Sequence, residues 1–572
     1  KINLFFVSVI ALLLISCVNL PKEYASYDDY PVYEGNDLEV VYSPLHTKFR
    51  LWSPAAKEAK LNLYHEGLGG EPFDVVKLKY DIDGTWVATV DGDLKGKFYT
   101  FQIFQQDRWW DETPGIWAKA VGVNGNRGAI IDMSETNPSG WEDVKRPAMK
   151  NFTDAVLYEL HVRDFYTSEQ SGMQYKGKFL AFTEMGTVNA EGKKTGVEHL
   201  KELGITHVQL LPIYDYASVD ETKLDENQYN WGYDPKNYNV PEGGYSTDPY
   251  NPTARIIELK KAIQSLKNNG IRVIMDVVYN HTFWGVQSHL NLTAPGYFYR
   301  FKEDGSWSNA SGCGNETASE RAMVRKYIIE SCKYWVNEYK VDGFRFDLMG
   351  IHDIETLNLL RAELDKIDPS ITIHGEGWTA EWDFPLPFEK RAIKQHAKQL
   401  NNIAVFSDDI RDGIRGTWDN NKVPGFMAGV HGYEESIKFG VVGATQHNQL
   451  NYDSVKYAKA PYANHPTQVI NYVSCHDDLC LHDKIIYSAP EGASDKEKHR
   501  FNKLAQTIVF TAQGVPFMYA GEELKRDKQR VHNTYQSPDS INQIDWTFKT
   551  TNYDIFEYYR NLISLRKQHP AF

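Results

Sequence analysis

After Asn151 the chain repeats one rhythm eight times: a short apolar run, then a polar or helix-patterned stretch. The runs are Ala155–Val162, Ile205–Leu211, Ile271–Val277, Val341–Asp347, Ile371–Glu376, Ile403–Ser407, Gln468–Ser474 and Pro516–Ala520. Near-continuous apolar runs, unlike alternating ones, suit strands buried on both faces. Helical patterns lie between most of them, for example Ala254–Asn268, Ser319–Glu338, Ile354–Ile367, Asp495–Thr511 and Asp554–Gln568. Parallel strands need long crossovers, and helices supply them. The pattern predicts an α/β fold built as a closed (β/α)8 barrel rather than a doubly wound sheet. In such a barrel the strands' C-terminal ends share one rim, and function gathers there.

Upstream the rhythm differs. Between Asp37 and Asp132 the runs are short and alternating, as in Thr47–Trp52, Ala59–Tyr64, Thr85–Val90 and Phe98–Ile103, with Gly, Asp and Pro between them. That is the pattern of an antiparallel β-sandwich. Pro147 marks the expected boundary, giving a sandwich over 37–148 and a barrel over 149–572. The first residues combine a basic start with an apolar run, Leu4–Ile15, too short for a comfortable membrane span but shaped like a secretory signal. Leu14-Ile15-Ser16-Cys17 resembles a bacterial lipobox. The expectation is an exported lipoprotein with a signal over 1–17, a lipid on Cys17 and a polar tether over 18–36, anchored to a membrane without spanning it.

The strand ends carry the chemistry. In a strand, residues i and i+2 share a face, so Arg345 and Asp347 stand side by side. A guanidinium beside a carboxylate keeps it ionised and fixes its orientation, as a nucleophile requires. Taken alone, the pair reads equally well as a structural one. The other ends weigh against that: the third run leads to Asp276, Asn280 and His281, the fifth to Glu376 and Trp378, the seventh to His476, Asp477 and Asp478. Carboxylates and imidazoles are costly to bury without a task or partner. Several of them converging on one rim predict a catalytic site.

Composition excludes some chemistry. Lys+Arg 62 against Asp+Glu 76 leaves a net charge of −14, which argues against nucleic acid as a partner. No Gly-rich phosphate loop opens a helix after a strand, so nucleotide chemistry has no support. Aromatic residues make up 13%, which suits stacking on sugar rings but equally a large core. Besides Cys17 the cysteines are Cys313, Cys332, Cys475 and Cys480. None forms a zinc-type pair, and they are expected to be mostly free, with room for one bridge.

The four rim segments resemble, in order, the four short signatures of the α-amylase family, glycoside hydrolase family 13. Tyr229-Asn230-Trp231-Gly232-Tyr233-Asp234-Pro235 is similar to the signature of its type I pullulanase subfamily. Tyr158–Asp164, Gly521–Glu523 and Ser537–Trp546 fit the same subfamily, and the sandwich resembles a family 48 carbohydrate-binding module. The resemblance implies a retaining debranching hydrolase of α-1,6 linkages in pullulan, branched starch or glycogen and limit dextrins, acting as a monomer. It implies Asp347 as nucleophile, Glu376 as acid/base and Asp477 as the third carboxylate, on the sugar's 2- and 3-hydroxyls. His281 and His476 would bind hydroxyls of the same sugar, Tyr233 would stack under it, and Asp276 would steady Arg345–Asp347. Trp231, Asp234 and Trp378 complete the expected substrate contacts. No cofactor is expected; a structural calcium at Asn280, a calcium position in many α-amylases, is a minority option. Two departures stand out: Asp478 where the subfamily usually has Asn, flanked by Cys475 and Cys480, and no sign of the usual C-terminal β-domain. An α-1,4-acting relative, such as an α-amylase or neopullulanase, is the nearest alternative; a non-catalytic starch-binding lipoprotein is the third.

Overall fold

The computed structural model describes residues 23–572; the expected signal segment and Cys17 lie outside them. Eight parallel strands close on themselves: β1 (Leu157–Leu160), β2 (His207–Leu210), β3 (Arg272–Val277), β4 (Gly343–Phe346), β5 (Thr372–Gly375), β6 (Ala404–Phe406), β7 (Val469–Asn471) and β8 (Val515–Tyr519). β8 pairs back onto β1, with Leu157 opposite Phe517. Every residue of β1, β4, β5 and β8 is buried, which is why these segments read as unbroken apolar runs. Each strand falls where the sequence predicts it. The ends differ by a few residues, because Asp347, Glu376 and Asp477 leave the ladder to form the rim.

The crossovers include α1 (Gly196–Leu203), α2 (Pro252–Asn268), α3 (Ala322–Tyr339), α4 (Ile354–Ile367), α5 (Asp408–Arg415), α6 (Leu481–Ser488), α7 (Asp495–Thr511) and α8 (Tyr553–Gln568). Local chemistry fixes their starts. Asn251 caps α2 by accepting from the Thr253 N–H, with Pro252 in the first turn. Ser494 and Glu497 form a reciprocal capping box on α7. α2 turns Ile256, Leu259, Ile263 and Leu266 inward, the spacing of one helical face.

The sandwich precedes the barrel. One antiparallel sheet orders its strands Glu39–Tyr42, His46–Trp52, Thr85–Asp91 and Lys79–Tyr80; the other orders Asp74–Lys77, Glu58–Tyr64, Phe98–Gln105 and Arg108–Trp109. Phe49, Leu51, Leu61, Leu63, Trp86 and Phe101 fill the space between them. Direct contacts tie this unit to the barrel. Trp117 lies edge-on to Tyr327 of α3 at 4.9 Å, and the Tyr327 hydroxyl donates to the Ile116 carbonyl (2.9 Å).

The expected tether over 18–36 is corrected within the described residues. Tyr30 stacks on Tyr297 at 5.3 Å, Arg321 lies over the Tyr27 ring at 4.6 Å, and Trp52 Nε1 donates to the Pro31 carbonyl (3.1 Å). Tyrosines at 24, 27, 30 and 33 supply enough apolar surface to dock this stretch between sandwich and barrel. Among the described residues no helix is long and apolar enough to cross a membrane.

Candidate active site

Arg345, in the middle of β4, is the hub of the rim. It is 2% exposed and binds three carboxylates. Its Nη1 donates to Asp276 Oδ1 (2.9 Å) from β3 and to Asp347 Oδ1 (3.0 Å) just past β4. Its Nη2 reaches Glu376 Oε1 (2.6 Å) just past β5. A planar fork can hold several acids in fixed orientation where an ammonium cannot. The i, i+2 spacing of Arg345 and Asp347 therefore does what the sequence suggests. Asn280 adds a second grip on Asp347, its amide donating to Oδ2 (2.8 Å) and to the backbone carbonyl (2.9 Å).

The chain turns sharply after Asp347. Leu348 adopts the left-handed conformation (φ 39°), unusual for a residue with a side chain, and its N–H donates to Glu376 Oε2 (3.0 Å). Glu376 is 5% exposed. Burial, reinforced by the negative charges of Asp347 and Asp477, pushes its carboxyl up to about 8 against the pull of Arg345. It is thus protonated at neutral pH, as a proton donor must be.

The seventh strand end completes the set. His476 is 3% exposed; its Nδ1 and its backbone N–H both meet the carboxylate of Glu159 in β1, at 2.9 and 2.7 Å. Burial would lower His476, but the adjacent Glu159 and Asp477 prevail and raise it to about 9. Asp477 opens to the cleft, its side chain 55% exposed, 3.8 Å from His476 Nε2. Confinement by the cleft walls raises the Asp477 carboxyl, helped by Asp478 and Asp347 and opposed by His476 and Arg345; water at the cleft mouth damps all of these. Asp478 does not act as a free charge on the cleft wall. It takes the left-handed conformation (φ 61°) and is bound by Arg415 Nη2 (3.2 Å) and His532 Nε2 (3.0 Å).

The rim encloses a cleft of about 570 Å³ lined by Glu159, Glu376, Trp378, Trp382, Trp418 and Asp477, among others. A larger depression of about 680 Å³, between Phe426–Gly429 and α7, lies on the outer layer and holds none of the strand-end carboxylates. Trp378 walls the cleft as expected.

The remaining expected residues lie around and behind these groups. Tyr233 is half-buried and stacks on His476 (4.9 Å, 16° between planes), with its hydroxyl donating to Asp276 Oδ2 (2.7 Å). Asp276 is fully buried under Arg345 and Tyr233, so it acts on the site through them and does not itself face the cleft. Trp231 is 4% exposed and packs edge-on behind His476 at 5.0 Å, backing that ring. Asp234 is buried facing the Ala217–Ser218 turn, and burial pushes its carboxyl up to about 7; it too is set back from the cleft. Both ring nitrogens of His281 already meet protein oxygens, Asn280 Oδ1 (2.6 Å) and the Tyr233 carbonyl (3.0 Å). A sugar hydroxyl would have to displace one of them.

The sequence reading missed Glu159 as a functional residue. Its signal was present in Tyr158–Asp164, but only the tertiary structure shows that the first strand ends beside the seventh's histidine. A calcium at Asn280 does not fit this arrangement. The Asn280 oxygen meets His281 and its amide holds Asp347, whereas Ca²⁺ takes six to eight free oxygens. Among the described residues one buried carboxylate trio, Asp215, Glu221 and Glu242, is close enough to share an ion, but Arg255 already binds Asp215 (3.2 Å) and Glu221 (2.6 Å). Cys313, Cys332, Cys475 and Cys480 are all free thiols, so no bridge forms among them.

Comparison with known proteins gives two family matches. Residues 160–290 and 315–546 match the alpha amylase catalytic domain, and residues 37–117 match carbohydrate-binding module 48, the isoamylase N-terminal domain. The chain is 42% identical to the pullulanase of Bacillus subtilis strain 168, over 96% of this chain and 73% of that protein. It is 30% identical to chloroplastic pullulanase 1 of Arabidopsis thaliana, over 95% of this chain and 65% of that one. Among solved structures, the Paenibacillus barengoltzii pullulanase in complex with maltohexaose and alpha-cyclodextrin superposes with a TM-score of 0.91 at 50% identity, covering 96% of this chain and 83% of that one.

Proposed function

The chain belongs to the α-amylase family of glycoside hydrolases, and we propose that it works there as a debranching enzyme, cleaving α-1,6-glucosidic linkages in pullulan, branched starch or glycogen, and limit dextrins. What carries this is the Tyr229–Pro235 segment, similar to the type I pullulanase signature, together with the set of three acids: Glu376 and Asp477 line one cleft, and Asp347 shares a guanidinium with Glu376. That shared guanidinium favours the short separation of retaining pairs, roughly 5–5.5 Å, over the wider inverting one.

The mechanism follows from the charges. Asp347, oriented by Arg345 and Asn280, attacks the anomeric carbon. Glu376, protonated at neutral pH, gives its proton to the leaving oxygen, and the cleaved chain departs. A covalent glycosyl–enzyme intermediate remains on Asp347. Glu376, now a carboxylate, takes a proton from water, and that water releases the sugar with retention. Asp477 holds the sugar hydroxyls while charge develops at the ring. Tyr233 presents its ring beside the same sugar.

Incubation with pullulan and with amylopectin, followed by product analysis, tests this reading. Maltotriose from pullulan is expected; panose would mean α-1,4 action, and no reducing sugar from any α-glucan would mean a binding protein only. Glu376→Gln should abolish hydrolysis while leaving oligosaccharide binding largely intact, and full activity in that variant sinks the assignment.

Export and lipid anchoring through Cys17 rest on the sequence Leu14-Ile15-Ser16-Cys17. Metabolic labelling with a palmitate analogue should mark the full-length protein and not its Cys17→Ser variant; equal labelling of both rules the anchor out. The monomeric state rests on the resemblance, and sedimentation at micromolar concentration checks it.

A further inference from the structure

One buried carboxylate at the rim has no part in the mechanism above. Glu159 sits in β1, 1% exposed, on the far side of the barrel closure from the nucleophile strand. It does not make the single contact of a strand-end ion pair. Oε2 accepts from the His476 backbone N–H (2.7 Å), and Oε1 meets His476 Nδ1 (2.9 Å). Gln209 in β2 donates to the same Oε1 (3.1 Å), and its own side-chain oxygen meets His374 Nε2 in β5 (2.8 Å). The carboxylate is therefore fixed before it meets the histidine, and the histidine is fixed at two points before it meets anything else. The remaining faces of the imidazole are filled by Tyr233, stacked on it, and Trp231, edge-on behind it. Only Nε2 is left, and it lies 3.8 Å from Asp477 Oδ2.

We propose that Glu159 is a positioning residue that acts through His476, holding the ring by Nδ1 so that Nε2–H is presented to Asp477 and to the sugar hydroxyls beside it. The proposal rests on the debranching reading of this site. Its physical content lies in the tautomers. With an anion at Nδ1 the ring keeps a proton there. A neutral ring of that tautomer would turn an Nε2 lone pair toward a carboxylate. A charged ring turns an N–H, which both steadies Asp477 and can donate to a hydroxyl. The charged groups facing His476 are Glu159 from β1, Asp276 from β3, Asp477 from its own strand end and Arg345 from β4, with the Tyr233 hydroxyl 3.4 Å from Nδ1; the anions outweigh the one cation, in line with its raised affinity for a proton. Charge on His476 is thus present below the folded-state value and lost as pH rises through it. Removing the anion at Glu159 moves that loss to lower pH.

The test is kcat/KM on pullulan from pH 5 to 10 for wild type, Glu159→Gln, His476→Gln and the double variant. Loss of a charge-assisted hydrogen bond to a group acting in the transition state corresponds to about a tenfold to hundredfold fall. That fall is expected for Glu159→Gln; because Glu376 sets the alkaline limb of the rate, the charge on His476 is read from its ¹³C-labelled ring, which should lose its proton at lower pH in that variant. The double variant should be no worse than His476→Gln alone, since Glu159 works through that ring. A His476 ring whose titration is unchanged in Glu159→Gln, or losses that simply add in the double variant, overturns the proposal. Should Glu159→Gln fail to fold, selectively ¹³C-labelled histidine decides. The resonance missing from His476→Gln must still be charged at pH 8 in wild type, and a ring neutral at pH 7 overturns the proposal. A wild type inactive on pullulan would instead sink the debranching reading, so the two failures are distinguishable.

Discussion

Replacing Arg345 by Met removes the one cation that Asp276, Asp347 and Glu376 share. The side chains are similar in length, so the main change is electrostatic. All three acids are nearly buried, with side chains 0%, 13% and 7% exposed. Leaving a buried charge without its partner costs about 3–5 kcal/mol. Glu376 already carries its proton at neutral pH, so the cost falls on Asp347 and Asp276, about 3–5 kcal/mol, until protons taken up by those acids relieve part of it. Urea unfolding followed by tryptophan fluorescence reads that loss. Activity should fall further than stability implies. The contact from Arg345 to Asp347 is worth about 1.5–3 kcal/mol as a charge-assisted bond, which alone is about 10- to 150-fold in kcat.

The pH profile supplies the sign. Arg345 pulls the Glu376 carboxyl down from where burial puts it. Without the guanidinium Glu376 binds its proton more tightly, so the alkaline limb of kcat, governed by loss of that proton near 8 in wild type, must move up while the rate collapses. Pullulan hydrolysis followed by reducing-sugar release from pH 4 to 10 measures both. A variant within about threefold of wild type, with its alkaline limb unmoved, refutes the hub. Arg345→Lys keeps a charge but loses the fork, and should lie between the two.

Other perturbations test other parts of the structure. Asp478→Asn keeps a residue that tolerates the left-handed backbone but removes the charge between Arg415 and His532. It should cost about 1 kcal/mol in urea unfolding and leave kcat/KM within about threefold, because Asp478 ties loops together and takes no part in the chemistry. Tyr30→Ala removes the stack on Tyr297 and should destabilise by about 2 kcal/mol without changing kcat; no change in the unfolding midpoint would mean the N-terminal stretch is a free tether after all. Cys475 lines the cleft, but burial pushes its thiol well above the ordinary range. Iodoacetamide at pH 8 should therefore leave it unmodified, by mass spectrometry, and a quickly alkylated Cys475 refutes this.

Much of the architecture is written in local pattern. Parallel strands buried on both faces must be apolar throughout, so all eight could be read as runs, and α4 and α7 occupy the residues their periodicity marks. The pairing of Arg345 with Asp347 is equally local, since two residues on one strand face need no knowledge of the rest. The carboxylates at the ends of separate strands could be named from sequence because a closed barrel brings every strand end to one rim.

What each side chain faces could not be read that way. Trp231, Asp234 and Asp276 belong to segments that build the site, yet burial sets all three back from the cleft, and the two ring nitrogens of His281 face Asn280 and Tyr233. These outcomes depend on which atoms the fold brings next to them, such as Arg345 beside Asp276 and Tyr233 beside His281, 69 and 48 positions away. Glu159 and His476 lie 317 positions apart, and only the pairing of β1 with β8, which closes the barrel, makes them neighbours. The sequence by itself determined the set of strands and the acids at their ends, because those follow from residue type and spacing along one element. Which acid takes a proton, which histidine keeps one, and which aromatics wall the cleft were decided by the tertiary structure, because burial and the sum of nearby charges exist only once the strands have closed.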